Sequence, residues 1–347
     1  MRVLMLSTDQ KILEEGSGVR ARMLEYAGIF EQLDILLIIK RGARSVELRA
    51  REVQNLRIHT VSFWRAFMWT PGVHIDVVTT QDPFEIGLIG FQIAQKLNAR
   101  LQLQIHTDFL SSHFTKFSLL NKVRRVIARF LLPRADSIRV VSNRIRASLQ
   151  ASSFKPRAPI YVLPVFVDLE KIKNSEIITD LHKKYPQFEK IILMLSRLTK
   201  EKNVGLAIEA ISEVITRNPK IGLVIVGEGP ERVALEAQSL KLGVADTIIF
   251  EPWTNDVASY YKTADLFLNT SWYEGYGMVY IEAATCDLPI VSTNVGVARE
   301  VGASLVGWDR NSITEGVQTA LAHPQLPKLP HLLSKSEYLT RYKQSLS

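Results

Sequence analysis

Only one of the 347 residues is a cysteine, Cys286. That excludes a disulfide framework and makes a reducing compartment the expected setting. No Asp-x-Asp pair occurs, and the histidines and the lone cysteine fall at no zinc-like spacing, so no metal is expected. Long hydrophobic runs are missing as well. The start, Met1-Arg-Val-Leu-Met-Leu-Ser7, breaks off before Asp9-Gln-Lys11, and no later run approaches spanning length. Neither a signal peptide nor a transmembrane helix is expected, and the location is expected to be cytoplasmic. There is no internal repeat or low-complexity tract. Acidic residues are in deficit, 35 against 43 Lys and Arg, for a formal charge of +8. An anionic partner is implied: a nucleotide, an acidic glycan, nucleic acid or an anionic membrane face.

Much of the positive excess lies between Lys116 and Arg146, where Lys122, Arg124, Arg125, Arg129, Arg134, Arg139 and Arg144 are opposed locally by Asp136 alone. Leu119-Leu120, Val123, Val126-Ile127 and Phe130-Leu131-Leu132 recur at helical spacing, so the part before Pro133 reads as a basic amphipathic helix. Two readings follow: a domain helix that buries its apolar face and solvates its arginines, which is preferred, and a helix that docks on an anionic membrane. No helix-turn-helix, RNP or zinc-finger pattern supports nucleic acid as the partner.

The length and the 46% apolar content suit two domains. Strand-like apolar runs alternate with helical patterns twice over, the form of two doubly wound α/β units. In the first half the runs are 3–6, 34–39, 73–78, 101–105, 137–141 and 160–163; in the second they are 191–195, 223–226, 247–250, 266–268 and 290–292. The boundary is expected after Asp168, giving domains 1–168 and 169–330. A last amphipathic helix within 331–347 is entered through Ser334.

Chemistry gathers where loops follow strands. Glu274-Gly-Tyr-Gly-Met-Val-Tyr-Ile-Glu282 sets one carboxylate in a glycine loop and a second inside the following helix. Gly275 and Gly277 let backbone approach a ligand closely, and the first amides of the helix, from Met278 on, lack intrahelical acceptors and suit phosphate. Glu282, just over a turn in, suits hydroxyl groups, and Glu274 reaches another part of the same ligand. Arg197 and Lys202, in Leu195-Ser-Arg-Leu-Thr-Lys-Glu-Lys-Asn203, sit in a strand-to-helix loop where such sheets bind ligands, and two cations there can neutralise a diphosphate. Gly16-Ser-Gly18-Val-Arg20-Ala21 matches G-x-G-x-x-A on its face. It is rejected as a dinucleotide fingerprint because Asp9 to Glu15 intervene after the first strand, and because Lys40-Arg41 stand where an acidic ribose ligand belongs. In Gln104-Ile-His106-Thr-Asp108, polar groups end a strand at the ligand edge, with Asp108 able to orient His106.

Together these motifs resemble those of glycosyltransferase family 4, the glycogen-synthase-like and sucrose-synthase-like group. Glu274 and Glu282 resemble its E-x7-E motif, Arg197 and Lys202 its G/S-R-L-x-x-x-K motif, and Gly16 to Arg20 its G-G-x-x-R segment. Val226-Gly-Glu-Gly-Pro230 resembles V-G-x-G-P, Phe250-Glu-Pro-Trp253 the segment that cups the base, and Gly296 to Glu300 the G-G-x-x-E loop that braces the site. The resemblance implies a GT-B fold: two Rossmann-like domains facing a cleft, with the terminal helix crossing back to the first. It implies metal-independent transfer of a sugar from a nucleotide-diphosphate donor to a glycan or lipid-linked acceptor, with retention, in cell-surface polysaccharide or glycolipid synthesis. Arg197 and Lys202 take the leaving diphosphate, Glu274 the sugar, Glu282 the ribose, and His106 the sugar or acceptor. Gly16, Gly18, Gly227, Gly275, Gly277, Trp253 and Met278 line the donor. The sequence departs from the pattern at Ser17, where a second glycine is common, and at Asp287, where a glycine at positive φ is usual. The alternatives are an epimerase or phosphorylase on the same fold, or a non-catalytic nucleotide-sugar-binding protein.

Overall fold

The computed structural model describes residues 1–39, 51–154 and 156–347. Lys40 and Arg41, used above against a dinucleotide fingerprint, lie outside the described residues. The chain divides into two compact units: Met1–Leu110, Ser118–Pro164 and Leu333–Ser347 form the first, and Ser111–Phe117 with Val165–Leu332 the second. The division thus falls after Pro164, where the sequence suggests Asp168. Asp168 instead caps a short helix of the second unit, accepting from the Lys171 amide.

In the first unit the strands are β1 (Arg2–Ser7), β2 (Gln32–Ile39), β3 (Arg51–Val53), β4 (Leu56–Ser62), β5 (Val77–Thr80), β6 (Arg100–Ile105), β7 (Ser137–Val140) and β8 (Ile160–Val162). They form one sheet in the order β3-β4-β2-β1-β5-β6-β7-β8, parallel except at β3. Helices α1 (Gly18–Ala27), α2 (Phe63–Ala66), α3 (Glu85–Leu97), α4 (Leu119–Leu131) and α5 (Asn143–Ala151) lie between them. Val3 to Leu6 and Leu33 to Ile38 are buried throughout, as continuous apolar strands must be in a sheet covered on both faces. β4 escapes the sequence reading because Leu56-Arg-Ile-His-Thr60 alternates apolar with polar residues and is only half-buried. The run at 73–78 contributes only its end to β5.

The second unit holds α6 (Leu169–Lys173), α7 (Leu181–Lys184), β9 (Lys190–Leu195), α8 (Val204–Arg217), β10 (Ile221–Val226), α9 (Arg232–Lys241), β11 (Ile248–Glu251), α10 (Val257–Thr263), β12 (Leu266–Asn269), α11 (Met278–Thr285), β13 (Ile290–Thr293), β14 (Ser304–Val306) and α12 (Arg310–Ala322). Its sheet runs β11-β10-β9-β12-β13-β14, with every pair parallel. α8 buries Ala207, Ile208, Ile211 and Val214 at i, i+3, i+4 spacing against Ile192, Leu223 and Leu268 of the sheet.

The closing helix α13 (Lys335–Ser345) starts in a capping box, Ser334 with Glu337. It belongs to the first unit, where Tyr26 and Tyr338 share a hydroxyl hydrogen bond of 3.0 Å and the Gln102 amide donates to the Ser345 carbonyl at 2.6 Å.

Candidate active site

The chain leaves β9 for β10 on one side, while β12 pairs on the other. Loops after β9 and β12 therefore diverge at the switch point of the sheet, where open α/β folds bind ligands. Lys202 comes from the first loop and Glu274 from the second, and the Lys202 ammonium donates to Glu274 Oε1 at 2.5 Å. Both side chains are largely buried, 15% and 12% exposed. The Ser271 hydroxyl holds the same carboxylate oxygen at 2.9 Å. The backbone locks the loops as well: the Trp272 amide donates to the Glu201 carbonyl at 2.8 Å, and the Thr270 hydroxyl to the Lys202 and Asn203 carbonyls. The resemblance gives Lys202 the diphosphate and Glu274 the sugar; in the fold the two side chains are also partners of one another.

Arg197, in the same loop as Lys202, differs. Its side chain is 76% exposed, and its ion pair, with Glu201, is long at 3.4 Å. A third loop supports it. The Leu198 amide donates to the Glu228 carbonyl at 2.8 Å, and a Cβ on Gly227, at φ +147°, would stand 1.9 Å from the Ser196 carbonyl oxygen. Gly227 is thus explained by close packing against the Arg197 loop. Arg232 straps this turn to the β11 segment, its guanidinium reaching the carbonyls of Gly227, Phe250 and Glu251. The Glu251 carboxylate accepts from Lys184, Tyr185 and Tyr260, anchoring the residue just before Pro252 and Trp253. Trp253 itself is 58% exposed.

Gly277 is the N-cap of α11 at φ +83°, directly before the half-exposed Met278. The Val297 amide donates to the Tyr276 carbonyl at 3.0 Å, so the loop after β13 braces the segment of Gly275 and Gly277. Glu282 accepts from the Tyr261 hydroxyl at 2.9 Å, and burial pushes its carboxyl above the usual range, partly offset by that bond. Asp287 adopts φ +53°, the conformation expected where glycine is usual. Among the described residues no group of three or more His, Cys, Asp or Glu is disposed to hold a metal.

In the first unit, Gly16 (φ +79°) and Gly18 open α1 after a short 3-10 turn, with Ser17 as the N-cap that accepts from the Arg20 amide. The Arg20 guanidinium is buried and directed at the Ile12 carbonyl. His106 follows β6, and its Nε2 lies 3.1 Å from Gln104 Oε1. Asp108, expected to orient it, instead accepts from Arg144 at 3.3 Å, and Gln104 is the orienting group.

The basic stretch also differs from expectation. Leu119, Leu120, Val123, Val126 and Phe130 of α4 are 43% to 76% exposed, and the buried residues of the helix are Ala128 and Leu131. The helix does not bury its apolar face. Arg124 is bound to Glu85, Arg144 to Asp108, and Arg139 is buried, while Lys122 and Arg129 remain exposed beside the apolar stripe. No helix among the described residues is long and apolar enough to cross a membrane.

The models "Glycosyl transferases group 1" and "Glycosyltransferase Family 4" match residues 178–323 and 31–171. The chain is 29% identical over 229 residues to the alpha-monoglucosyldiacylglycerol synthase of Streptococcus pneumoniae, covering 63% of this chain and 52% of that protein. It is 30% identical over 230 residues to the GDP-mannose-dependent alpha-(1-6)-phosphatidylinositol monomannoside mannosyltransferase of Mycolicibacterium smegmatis, covering 61% and 60%. The match thus spans about half to three fifths of these relatives. Among solved structures, a sucrose-phosphate synthase from Thermosynechococcus elongatus superposes with TM-score 0.74 at 19% identity, covering 100% of this chain and 95% of that one. HepE of Anabaena, in complex with UDP and glucose, gives 0.72 at 18%, covering 100% and 96%. These likenesses show the GT-B fold, and with two family models matching in succession along its length, the chain belongs to the family 4 type of glycosyltransferases.

Proposed function

We propose that this chain moves a sugar, with retention and without a metal, from a nucleotide-diphosphate donor to a lipid-borne or glycan acceptor. The observation that carries this reading is the exposed Arg197 guanidinium on the same loop as Lys202, whose ammonium pairs with Glu274 of the other loop at the switch point. As the donor bond breaks, charge grows on the diphosphate. Arg197, Lys202 and the first amides of α11 meet that charge, a task a metal ion performs elsewhere. Glu274, held by Lys202 and Ser271, orients sugar hydroxyls, Glu282 takes the ribose, and His106 takes the sugar or the acceptor. Same-face departure lets the leaving oxygen accept the proton of the acceptor.

A lipid-borne acceptor agrees with two relatives named for diacylglycerol and phosphatidylinositol substrates. The exposed apolar stripe of α4, flanked by Lys122 and Arg129, suits the surface of an anionic bilayer.

Thermal-shift screening with UDP-, GDP- and ADP-sugars identifies the donor. With that donor, Arg197→Ala is expected to lower turnover about 100-fold or more while leaving the fold intact. Near-normal turnover in that variant, or no stabilisation by any of these nucleotide sugars, sinks the reading.

A further inference from the structure

β6 directs Gln102 and Gln104 to one side of the sheet, as the alternation of a strand requires, and His106, the residue after the strand, meets Gln104. Their hydrogen bonds form a directional chain whose polarity is set at both ends. At one end stands Arg139, whose Nη1 lies 2.8 Å from Gln104. A guanidinium has donors only, so the Gln104 atom that faces it is the carbonyl oxygen. At the other end Gln102 faces the Ser345 carbonyl of α13 at 2.6 Å, which only accepts, so Gln102 presents its amide nitrogen there and its oxygen to Thr79. The Thr79 hydroxyl therefore donates to Gln102 at 2.9 Å and accepts from Gln104 Nε2 at 2.9 Å. Both ends give Gln104 the same orientation.

The Gln104 oxygen that accepts from Arg139 is the one facing His106 Nε2 at 3.1 Å. Nε2 must carry the proton. Among the described residues His106 Nδ1 has no hydrogen-bond partner. We propose that Gln104 and Arg139 are positioning residues which hold His106 as the neutral Nε2–H tautomer, so that the ring meets a ligand through Nδ1 as a hydrogen-bond acceptor only. Burial, with the Arg139 and Arg22 charges nearby, agrees: the imidazolium is disfavoured down to about pH 3. A ring so held takes a hydroxyl hydrogen from a sugar and does not protonate a leaving group. Arg139 is itself held by the Tyr338 hydroxyl at 2.7 Å and the Leu163 and Pro164 carbonyls, so α13 secures the array from both Tyr338 and Ser345.

The sugar-facing half of this proposal rests on the proposed function; the tautomer does not. In the whole protein labelled with 15N-histidine, the His106 ring is expected to show a protonated Nε2 and a bare Nδ1 unchanged from pH 5 to 8. Gln104→Glu, which keeps an acceptor beside Arg139, keeps the proton on Nε2, whereas Gln104→Leu loses the fixed tautomer with the circular dichroism unchanged. A protonated Nδ1, titration between pH 5 and 8, or an unaltered ring in Gln104→Leu overturns the positioning role. When UDP-glucose or GDP-mannose stabilises the protein, the Nδ1 resonance is expected to move upfield as it accepts a hydroxyl. Stabilisation without that movement overturns the acceptor role. Failure of every nucleotide sugar to bind, with the tautomer as described, removes the proposed function and leaves the positioning array standing.

Discussion

Lys202 and Glu274, 72 residues apart in sequence, meet through one hydrogen bond of 2.5 Å in a largely water-excluded position. A buried pair of this kind contributes less by attraction than it costs when half of it is removed. Lys202→Met or Glu274→Gln alone is expected to lower stability by about 3 kcal/mol in urea titrations. The double variant should lose less than the sum of the two. Strict additivity would show that the charges act independently, and the reading of Glu274 as a group oriented by Lys202 would fail.

Glu282 tests the burial of the second carboxylate. Its folded pKa is raised, chiefly by burial, so the fold retains the proton after the unfolded chain has released it. Stability is therefore lost as pH rises from the ordinary carboxyl value, about 4.3, through the raised folded value, and stays lowered above it. Glu282→Gln should be more stable than the parent at pH 7, with the difference fading below about pH 4. Calorimetry with UDP and GDP should meanwhile show affinity reduced about tenfold, the loss of a charge-assisted hydrogen bond to ribose. An unchanged affinity removes Glu282 from the ribose site.

At Gly277, φ is +83° and an added Cβ would lie 2.6 Å from the Tyr280 ring. That ring is fully buried and its hydroxyl is 2.7 Å from Ser292 Oγ, so it has little freedom to retreat. Gly277→Ala should cost about 1–3 kcal/mol in thermal or chemical unfolding. A fully stable variant would mean that the loop tolerates another conformation, and α11 would then not need its present start.

The exposed stripe of α4 predicts a surface effect without a folding effect. Val123→Asp with Val126→Asp should leave stability within about 0.5 kcal/mol per site, because both positions face solvent. Binding to vesicles rich in phosphatidylglycerol should fall about tenfold or more, since burial of each side chain is worth about 1.5–3 kcal/mol. In the parent, salt should weaken the same binding. Arg124 is unsuited to this test because its side chain is tied to Glu85. Equal vesicle binding by parent and variant would detach α4 from the membrane.

Much of the fold was legible because continuous Val, Ile and Leu runs admit few structures besides a sheet covered on both faces. Strands that announced themselves less directly were lost: β4 alternates, and β3 and β14 are short edges. The order of motifs was legible as well, since glycines before helices and cations after strands are local features. The partner of each charge was not. Nothing in the spacing from 116 to 146 shows that Glu85 and Asp108 hold Arg124 and Arg144 or that Arg139 is a core residue, because those partners arrive through the crossings of the sheet.

By itself the sequence determined two α/β units, the loops that carry Arg197, Lys202, Glu274 and Glu282, and the helical period of α4, all set by local periodicity and glycine chemistry. Tertiary structure alone decided that Lys202 and Glu274 are partners while Arg197 remains exposed. It also decided that α4 presents its apolar stripe outward and that Gln104, not Asp108, orients His106. Each of these depends on which strands become neighbours, and strand neighbours are chosen by burial of whole faces, a property no short stretch of sequence contains.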